Sequence, residues 1–390
     1  MVQAVIVGVG MTHFGKFLER NLKSLCEEAV REALSDAGAQ PSEINCVFFG
    51  NAAAGVVTGQ EMIRAQSALR NTGLAGKPMF NIENACASSS TALSLARASV
   101  ASGQYDCVLV VGCEKLTHKD KAVSFGAFAR GVDQEEDLGS NIGRGSGSVF
   151  MDIYAAKTKK WMTDARVTNE DIARVCVKSR QAGSLNPLAQ FRSPTTIEEV
   201  LASRMVSDPL TLFMCSSIGD GAAAIVVCSE SRARALGKTP IYIKACSIVS
   251  APAVPGAELV AVTAARQAYE EAGVGPGDIH VAELHDASAP AELIHCENLG
   301  FCAPGDAGRL VRSGATDLGG RISVNPSGGL LSRGHPVGAT GAAQIVELTQ
   351  QLRGQSGARQ RQGAKLALAE NNGGQLAGDS AVALVTILAA

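Results

Sequence analysis

Residues 81–95 read Asn-Ile-Glu-Asn-Ala-Cys-Ala-Ser-Ser-Ser-Thr-Ala-Leu-Ser-Leu, and the rest of the chain is interpreted around this run. Its cysteine, Cys86, separates an irregular lead from an apolar helix that Ser88 or Ser89 can cap. The positive end of a helix favours a thiolate, which can carry an acyl group. The alternative is a buried structural cysteine. A catalytic Cys86 therefore requires a base and an oxyanion site from elsewhere in the chain.

The composition restricts the class of protein. The chain has 390 residues, of which 46% are hydrophobic, enough for two or three domains' worth of core. A net charge of −2 without a basic run argues against nucleic acid and anionic membranes as partners. Eleven scattered cysteines without a Cys-x-x-Cys pair argue against a metal site and a disulfide framework. We expect a cytoplasmic protein with no metal and no membrane span.

Two internal matches indicate a duplication. Residues 29–45 and 264–280 share a helix, a glycine stop, a proline turn and a strand at an offset of 235. Residues 219–226 and 378–385 match at an offset of 159. Chance explains either match alone, but two matches in the same order favour a duplication. The offsets differ by 76, so the first half contains extra chain, which we assign to an insertion over about 117–215.

The alternation of helices and strands in each half predicts an α/β protein with a mostly parallel sheet and helices on its faces. We predict an N-terminal half at 1–245, whose insertion covers the active site, and a C-terminal half at 246–390. Packing the halves through their helices would bury the Cys86 helix, which explains its small neighbours.

Three loops are expected to meet Cys86. His285 and Asp286 directly follow a strand, where α/β folds place ligands. Residues 325–341 surround His335 with glycine, which allows backbone to pass close to a ligand. Residues 370–374 offer backbone N–H groups for an oxyanion site. The alternatives are a hydrogen-bonded structural role for His285 and an exposed loop position for His335.

Over essentially the whole chain, these features resemble the thiolase family. The resemblance rests on the Cys86 segment, residues 325–341, the Gly-Asp-Gly-Ala strand at 219–222 and the duplication. The His-Asp pair and the run Asn-Pro-Leu-Ala-Gln-Phe-Arg at 186–192 resemble the sterol-carrier-protein type. The resemblance implies the thiolase fold: two duplicated βαβαβαββ halves in five α-β-α-β-α layers, with a loop-domain insertion in the first half.

The resemblance also implies roles for individual residues. Cys86 would be the acyl-accepting nucleophile, and His335 would take its proton. His285 would orient a water or a substrate carbonyl at the first oxyanion site. The N–H groups of Cys86 and Gly373 would form the second. Met151 would lie beside the acyl pocket.

One departure from the family concerns its second, acid/base cysteine. Asn371 stands at the position where most thiolases place it, and Ala287 at the position used by the sterol-carrier type. Cys296 and Cys302 lie downstream, but their spacing does not point them inward. The remaining cysteine and two histidines resemble the Cys-His-His set of ketosynthases, which stabilises an enolate without a second thiol.

The leading hypothesis is an acyl-CoA acyltransferase that forms or cleaves a carbon–carbon bond of a 3-ketoacyl-CoA through an acyl-Cys86 intermediate. A retro-aldol or decarboxylative Claisen enzyme acting on a bulky CoA thioester is the alternative. A second alternative is an acyl-CoA-binding or partner-dependent subunit without independent turnover, although binding alone requires neither Cys86 nor the histidines.

The resemblance extends to ligands and partners. Coenzyme A or acyl-CoA is the expected substrate and no cofactor is expected to be bound permanently. Pantetheine would run through a tunnel that Ser247 could line. A homodimer or tetramer is expected, with residues 107–113 near the interface, and a small partner subunit is considered.

Overall fold

The computed structural model describes residues 2–139, 142–253 and 257–390. Within these residues the strands are β1 (Ala4–Met11), β2 (Cys46–Gly50), β3 (Met79–Ile82), β4 (Cys107–Glu114), β5 (Met205–Ser207), β6 (Leu210–Thr211), β7 (Gly221–Ser229), β8 (Ile241–Ser250), β9 (Val281–Glu283), β10 (Ser323–Val324), β11 (Leu366–Gly373) and β12 (Val382–Ala389).

The helices of the same residues are α1 (Leu22–Ala37), α2 (Ala54–Thr58), α3 (Arg64–Ala68), α4 (Ser88–Ala101), α5 (Lys121–Phe128), α6 (Val149–Ala165), α7 (Asn169–Ser184), α8 (Ile197–Ala202), α9 (Glu230–Ala235), α10 (Val260–Ala272), α11 (Ala289–Asn298), α12 (Ala307–Arg312), α13 (Gly329–Ser332) and α14 (Thr340–Leu352). No helix in this part of the chain is both long and apolar enough to cross a membrane.

Ten strands form one sheet whose order is symmetric about its centre. The order is β10-β9-β11-β12-β8-β1-β7-β4-β2-β3, so each strand of one half has a counterpart at the same distance from the β8–β1 pair. The two halves join there through only two residue pairs, Val5 with Tyr242 and Ile6 with Ile241. The predicted duplication is therefore visible in the strand order, although the two half-sheets are continuous. The prediction of a mostly parallel sheet is wrong, because five of its nine strand pairings are antiparallel. The predicted division at residue 245 falls inside β8.

The outer helices repeat the same local design. Helix α1 ends at Gly38 with φ 64° and helix α10 ends at Gly273 with φ 68°, a left-handed conformation in which glycine carries no Cβ penalty. A 3-10 turn follows each, at Pro41–Glu43 and Pro276–Asp278. The turns preserve the offset of 235 found in the sequence.

Two inner helices lie between the half-sheets. Helix α1 packs on β1, β7 and β4, and helix α10 packs on β8 and β12, each on an outer face. Helix α14 contacts both half-sheets, and all its residues except Gln350 are buried. Helix α4 packs mainly on β4 and β2. The layers are therefore α-β-α-β-α, and the inner pair carries the active-site loops at its N-termini.

The two halves differ in the length of the segment that precedes the last inner strand of each half, β7 in the first and β12 in the second. Helices α5 to α8 and the β5–β6 hairpin lie between β4 and β7, whereas only residues 374–381 separate β11 from β12. Residues 140 and 141 of this segment lie outside the described residues. Its helices α6 and α7 share a hydrophobic cluster with α11 and α12 of the other half. This cluster holds the segment over the ends of the inner helices.

Candidate active site

Cys86 lies in a 3-10 turn, Ala85–Ala87, that leads directly into α4. The predicted serine cap is wrong, because the N-cap residue is Ala87 and has no side-chain bond. The Ser88 hydroxyl instead donates to the Ala85 carbonyl at 2.6 Å and accepts the Asn84 N–H at 2.9 Å. These bonds hold a strained turn, since Ala85 has φ 48°.

The first turns of the two inner helices, α4 and α14, pack directly against each other. The Ser89 hydroxyl on α4 accepts the N–H of Ala342 on α14 at 2.9 Å. A Cβ on Gly341 would stand 1.9 Å from the Ser90 hydroxyl oxygen, so this contact requires glycine. The glycine-rich sequence after His335 thus serves the close approach of two helices.

Cys86, His285 and His335 come together in space. Their sulfur and ring-nitrogen ligand atoms all lie within 4.8 Å of one another, and all three side chains are buried. His285 follows β9, and His335 lies between α13 and the 3-10 turn Val337–Ala339. The two imidazole rings meet edge to face, with centroids 5.2 Å apart. Three such donors are also close enough to ligate a metal ion, so the expected absence of metal stays a prediction.

Asn371 fixes the tautomer of His285. The Asn371 side-chain amide donates to His285 Nδ1 at 2.9 Å, and its Oδ1 accepts the Ser90 hydroxyl at 2.7 Å. With Nδ1 used as an acceptor, the proton of the neutral ring resides on Nε2. Burial, and the neighbouring His335 and His295, hold the pKa of His285 well below its usual value. His285 is therefore a neutral hydrogen-bond donor.

Thr340 gives His335 the opposite tautomer. His335 Nδ1 lies 2.8 Å from Thr340 Oγ1, whose hydroxyl donates to the Pro336 carbonyl at 3.1 Å. Oγ1 therefore accepts the Nδ1 proton, which leaves a lone pair on Nε2. Burial, with a smaller effect of Arg333, lowers the pKa of His335 to about 3. His335 is thus a neutral imidazole with a free basic nitrogen.

The Cys86 thiol is protonated in the resting site, contrary to the sequence prediction. Burial, and then the charge of Glu114, raises its pKa to about 12. Hydrogen bonds from the backbone amides of Cys86 and Gly374 oppose this rise without overcoming it. The cost of burying a charge thus outweighs the favourable helix end. The second amide belongs to Gly374, the neighbour of the predicted Gly373.

Two cavities meet at Cys86. The larger has a volume of about 570 Å³, and its lining contains four cations and no carboxylate: Lys16, Lys119, Lys121 and Arg204. The smaller, about 340 Å³, is lined by His285, Gly373, Gly374 and balanced charges, Lys157 and Lys160 with Asp164 and Asp379. Cys86, Tyr154 and Ala287 line both.

Of the two residues that the resemblance placed along the substrate pocket, one lines a cavity at Cys86 and the other does not. Met151 lines the larger cavity. Ser247, which was expected in the pantetheine tunnel, lines neither of the two cavities within the described chain. Its hydroxyl donates to Gln267 of α10 at 2.7 Å, because its position on β8 faces the outer helix layer. Ser216 and Ser217 line the larger cavity instead.

Sequence reasoning missed several residues that shape the site. Buried Glu114 accepts N–H bonds from Ala52, Ala53 and Gly338, which ties three loops around Cys86. Ser90, Thr340 and Tyr154 were also missed. Ser90 and Thr340 could have been found, because they closely follow Cys86 and the Gly-His-Pro run. Glu114 and Tyr154 belong to no sequence motif.

Two family profiles cover most of the chain. Residues 4–231 match the profile described as thiolase, N-terminal domain. Residues 248–386 match the profile described as thiolase C-terminal domain-like. The first match alone spans more than half of the chain.

Curated relatives agree with these profiles. An acetyl-CoA acetyltransferase of Methanothermobacter thermautotrophicus is 38% identical over 96% of this chain and 97% of its own length. The benzoylsuccinyl-CoA thiolase subunit BbsB of Thauera aromatica is 38% identical over 90% and 89%. Sterol carrier protein 2 of Bos taurus is 36% identical over 94% of this chain and 69% of its own length.

A solved structure supports the same conclusion. The Ltp2-ChsH2(DUF35) aldolase matches with a TM-score of 0.80 and 26% identity, over 100% of this chain and 98% of that chain. The profile matches confirm the predicted thiolase fold, and the sterol carrier protein 2 match agrees with the resemblance to the sterol-carrier type. From its two profile matches, its relatives and its layered fold, the chain belongs to the thiolase family.

Proposed function

We propose that this chain is an acyl-CoA acyltransferase that forms or cleaves the carbon–carbon bond of a 3-ketoacyl-CoA through an acyl-Cys86 intermediate. The observation that carries the proposal is one thiol beside two histidines held in opposite tautomers. The printed names of two relatives, acetyl-CoA acetyltransferase and benzoylsuccinyl-CoA thiolase subunit, support the same chemistry.

In the proposed first step, Cys86 attacks the substrate carbonyl while His335 Nε2 accepts its proton. The resting pair is neutral, since burial raises the pKa of Cys86 and lowers that of His335. Charge separation inside a dry site is costly, so proton transfer is coupled to attack on a bound carbonyl. The free thiol is therefore protected from unproductive reactions.

The developing negative charge on oxygen is stabilised by fixed donors. The Nε2–H of His285 points to one oxyanion position, because Asn371 occupies Nδ1. The amides of Cys86 and Gly374, which already bond the thiol, supply the second. Donors held in place before the reaction need no reorganisation as charge develops.

Charge distinguishes the roles proposed for the cavities. Coenzyme A has phosphate groups, and the larger cavity has four cations without a carboxylate. We assign coenzyme A to this cavity, which would place Met151 beside the pantetheine arm and not beside the acyl group, as the resemblance had implied. The smaller cavity, with balanced charge, would receive the acyl group.

Retro-aldol chemistry is the less favoured alternative. The structural match to an aldolase complex is its only support beyond the fold. A retro-aldol reaction does not require acylation of a cysteine, whereas the site pairs Cys86 with a base. Acylation therefore separates the two functions.

We propose that partners are reached through an edge of the sheet. Residues 107–113, which were expected near an interface, form most of β4, and β2 separates this strand from the edge strand β3. Edge strand β3 pairs only with β2 within the described residues, and its Phe80 is 45% exposed. Helix α3 contacts β3, and Met62 and Ile63, directly before this helix, are 78% and 64% exposed. A homodimer through β3 would cover them. A small partner subunit remains part of the proposal, because BbsB is itself a subunit and the aldolase contains a DUF35 component.

We also propose a cytoplasmic location. All eleven cysteines fall within the described residues, and each is a free thiol there. A reducing compartment keeps thiols in this state.

Intact mass spectrometry tests the main proposal. Brief exposure to acetyl-CoA, or to a longer acyl-CoA, should add one acyl group to the native protein and none to Cys86→Ala. Cys215→Ala is the matched control, since Cys215 also lines the larger cavity and should leave the adduct intact. Absence of an adduct with every acyl-CoA would rule out acyl transfer by this chain alone.

A further inference from the structure

The proposed cleavage requires a proton donor for the carbon of the departing enolate. When the carbon–carbon bond breaks, an acetyl-CoA enolate leaves and its carbon must be protonated. Thiolases use a second cysteine, but Asn371 and Ala287 occupy its two family positions. The Asn371 amide does not titrate, and it is already bonded to Ser90 and His285.

The two catalytic histidines are also committed. His335 holds the proton taken from Cys86 and returns it at the end of the cycle. His285 presents its Nε2–H to an oxyanion, and its other nitrogen is used by Asn371. Neither histidine has a second nitrogen free to serve the enolate carbon.

A third buried histidine, His295, is a weaker candidate. It lines the smaller cavity, but both of its nitrogens face protein groups. Nε2 lies 3.3 Å from the Asn372 amide nitrogen, and Nδ1 lies 3.5 Å from Glu370 Oε1. Both neighbours belong to β11, so the ring of His295 is directed at this strand, although its Nδ1 makes no hydrogen bond within the described residues.

Tyr154 lies at the point where the cavities meet. Besides Cys86 and Ala287, it is the third residue that lines both. Among the residues described, its hydroxyl has no hydrogen-bond partner, while the Phe150 ring holds its own ring at a centroid distance of 5.8 Å. Tyr154 thus shares the lining of both cavities with the nucleophile and with Ala287, which stands where the sterol-carrier type has its cysteine.

We propose that Tyr154 is the general acid that protonates the departing enolate in place of the second cysteine. This inference rests on the proposed function. The Tyr154 O–H bond breaks as a C–H bond forms on the enolate carbon, which yields acetyl-CoA and a phenolate. The incoming coenzyme A thiol then gives its proton to the phenolate, and its thiolate attacks acyl-Cys86. The released Cys86 thiolate recovers its proton from His335, so atoms and charges balance.

The surroundings of Tyr154 suit this role. Burial, and then the nearby Cys86, raises the pKa of the phenol, so the group is protonated at neutral pH. A protonated phenol can donate to a carbanion that is a far stronger base. Phenolate forms only while the enolate is being quenched, and coenzyme A promptly reprotonates it.

Tyr154→Phe tests the inference, with Tyr242→Phe as the matched control. The Tyr242 hydroxyl bonds Glu230, and Tyr242 lines neither cavity in the described chain. Three readouts are needed: cleavage of a 3-ketoacyl-CoA, exchange of acetyl-CoA methyl protons with D₂O, and alkylation of Cys86 by iodoacetamide. Tyr154→Phe should lower cleavage and exchange about 100-fold or more, and leave alkylation within about threefold. Tyr242→Phe should change none of them.

A rescue makes the test specific. Adding Ala287→Cys to Tyr154→Phe restores a thiol at the family position and should recover part of the exchange. The inference fails if Tyr154→Phe keeps cleavage within about threefold, or if alkylation falls in parallel, which would indicate a structural role. It also fails if Ala287→Cys rescues nothing in a folded protein. A native protein that forms no acyl adduct would instead refute the underlying function.

Discussion

The Asn371 side-chain amide donates a hydrogen bond to Nδ1 of His285 across 2.9 Å. Asn371 stands where most thiolases have their acid/base cysteine. Through this contact it orients His285, the proposed oxyanion donor. Asn371→Asp should reverse it, because a carboxylate accepts the Nδ1 proton and leaves Nε2 without one. We expect kcat to fall about 100-fold, as when an oxyanion donor is removed.

Steady-state kinetics and Cys86 alkylation together check this expectation. Alkylation should not change, since His335 is untouched. Asn45→Asp is the control. Asn45 Oδ1 accepts a hydrogen bond from the Cys107 N–H at 2.9 Å, and an aspartate oxygen can accept the same bond. Wild-type kcat in Asn371→Asp would show that the His285 tautomer does not matter.

Thr340→Val should weaken the base. Valine keeps the shape of the side chain but removes the oxygen that accepts the His335 Nδ1 proton at 2.8 Å. The ring then loses its orientation, and acylation of Cys86 should slow by about tenfold, while alkylation through the trace thiolate should stay within about threefold. Thr163→Val removes an exposed hydroxyl that bonds only its own helix and should alter neither rate. Equal rates of Cys86 acylation in the wild type and in Thr340→Val would contradict the role assigned to Thr340.

The pH dependence of Cys86 reactivity should lack a plateau at neutral pH. Burial raises the pKa of the thiol to about 12 and lowers that of His335 to about 3, so the pair is neutral between these values. The reactive thiolate is then a trace species whose fraction rises about tenfold per pH unit below the thiol pKa. Iodoacetamide kinetics without substrate should follow that slope. A plateau below pH 8 would mean that a thiolate–imidazolium pair is already formed.

Gly341→Ala should damage both stability and activity. Its Cβ would lie 1.9 Å from Ser90 Oγ and 2.7 Å from Asn371 Oδ1, so the two inner helices must separate. Overpacking of this kind costs about 1–3 kcal/mol, and the loss should appear in thermal unfolding together with a lower kcat. Gly126→Ala on α5 is the control, because its Cβ meets nothing within 4 Å. Equal unfolding temperatures for the two variants would exclude tight packing at Gly341.

Much of the architecture was accessible from the sequence because it is encoded locally and repeated. The helix, glycine stop and proline turn that were predicted in both halves are present at the same offset. Such signals depend on a few neighbouring residues, whose conformational preferences hold in any context. The nucleophile and both histidines could likewise be singled out from local motifs.

The electrostatics of the site could not be read in this way. The helix end predicted a thiolate at Cys86, but burial between two half-sheets reverses that preference. Ser247 was placed in the tunnel by resemblance, yet its strand turns it toward α10. Side-chain direction and desolvation both depend on which distant elements pack together.

The sequence by itself determined the repeated α/β architecture and the three reactive side chains. Only the tertiary structure decided their chemical states. Ser90 and Asn371 are 281 residues apart, yet their bond fixes the proton of His285, while Thr340 fixes that of His335. The tertiary structure also placed Tyr154 and Cys86 together in the lining of both cavities. The physical reason is that a proton's position depends on three-dimensional neighbours and burial, which local sequence preferences do not specify.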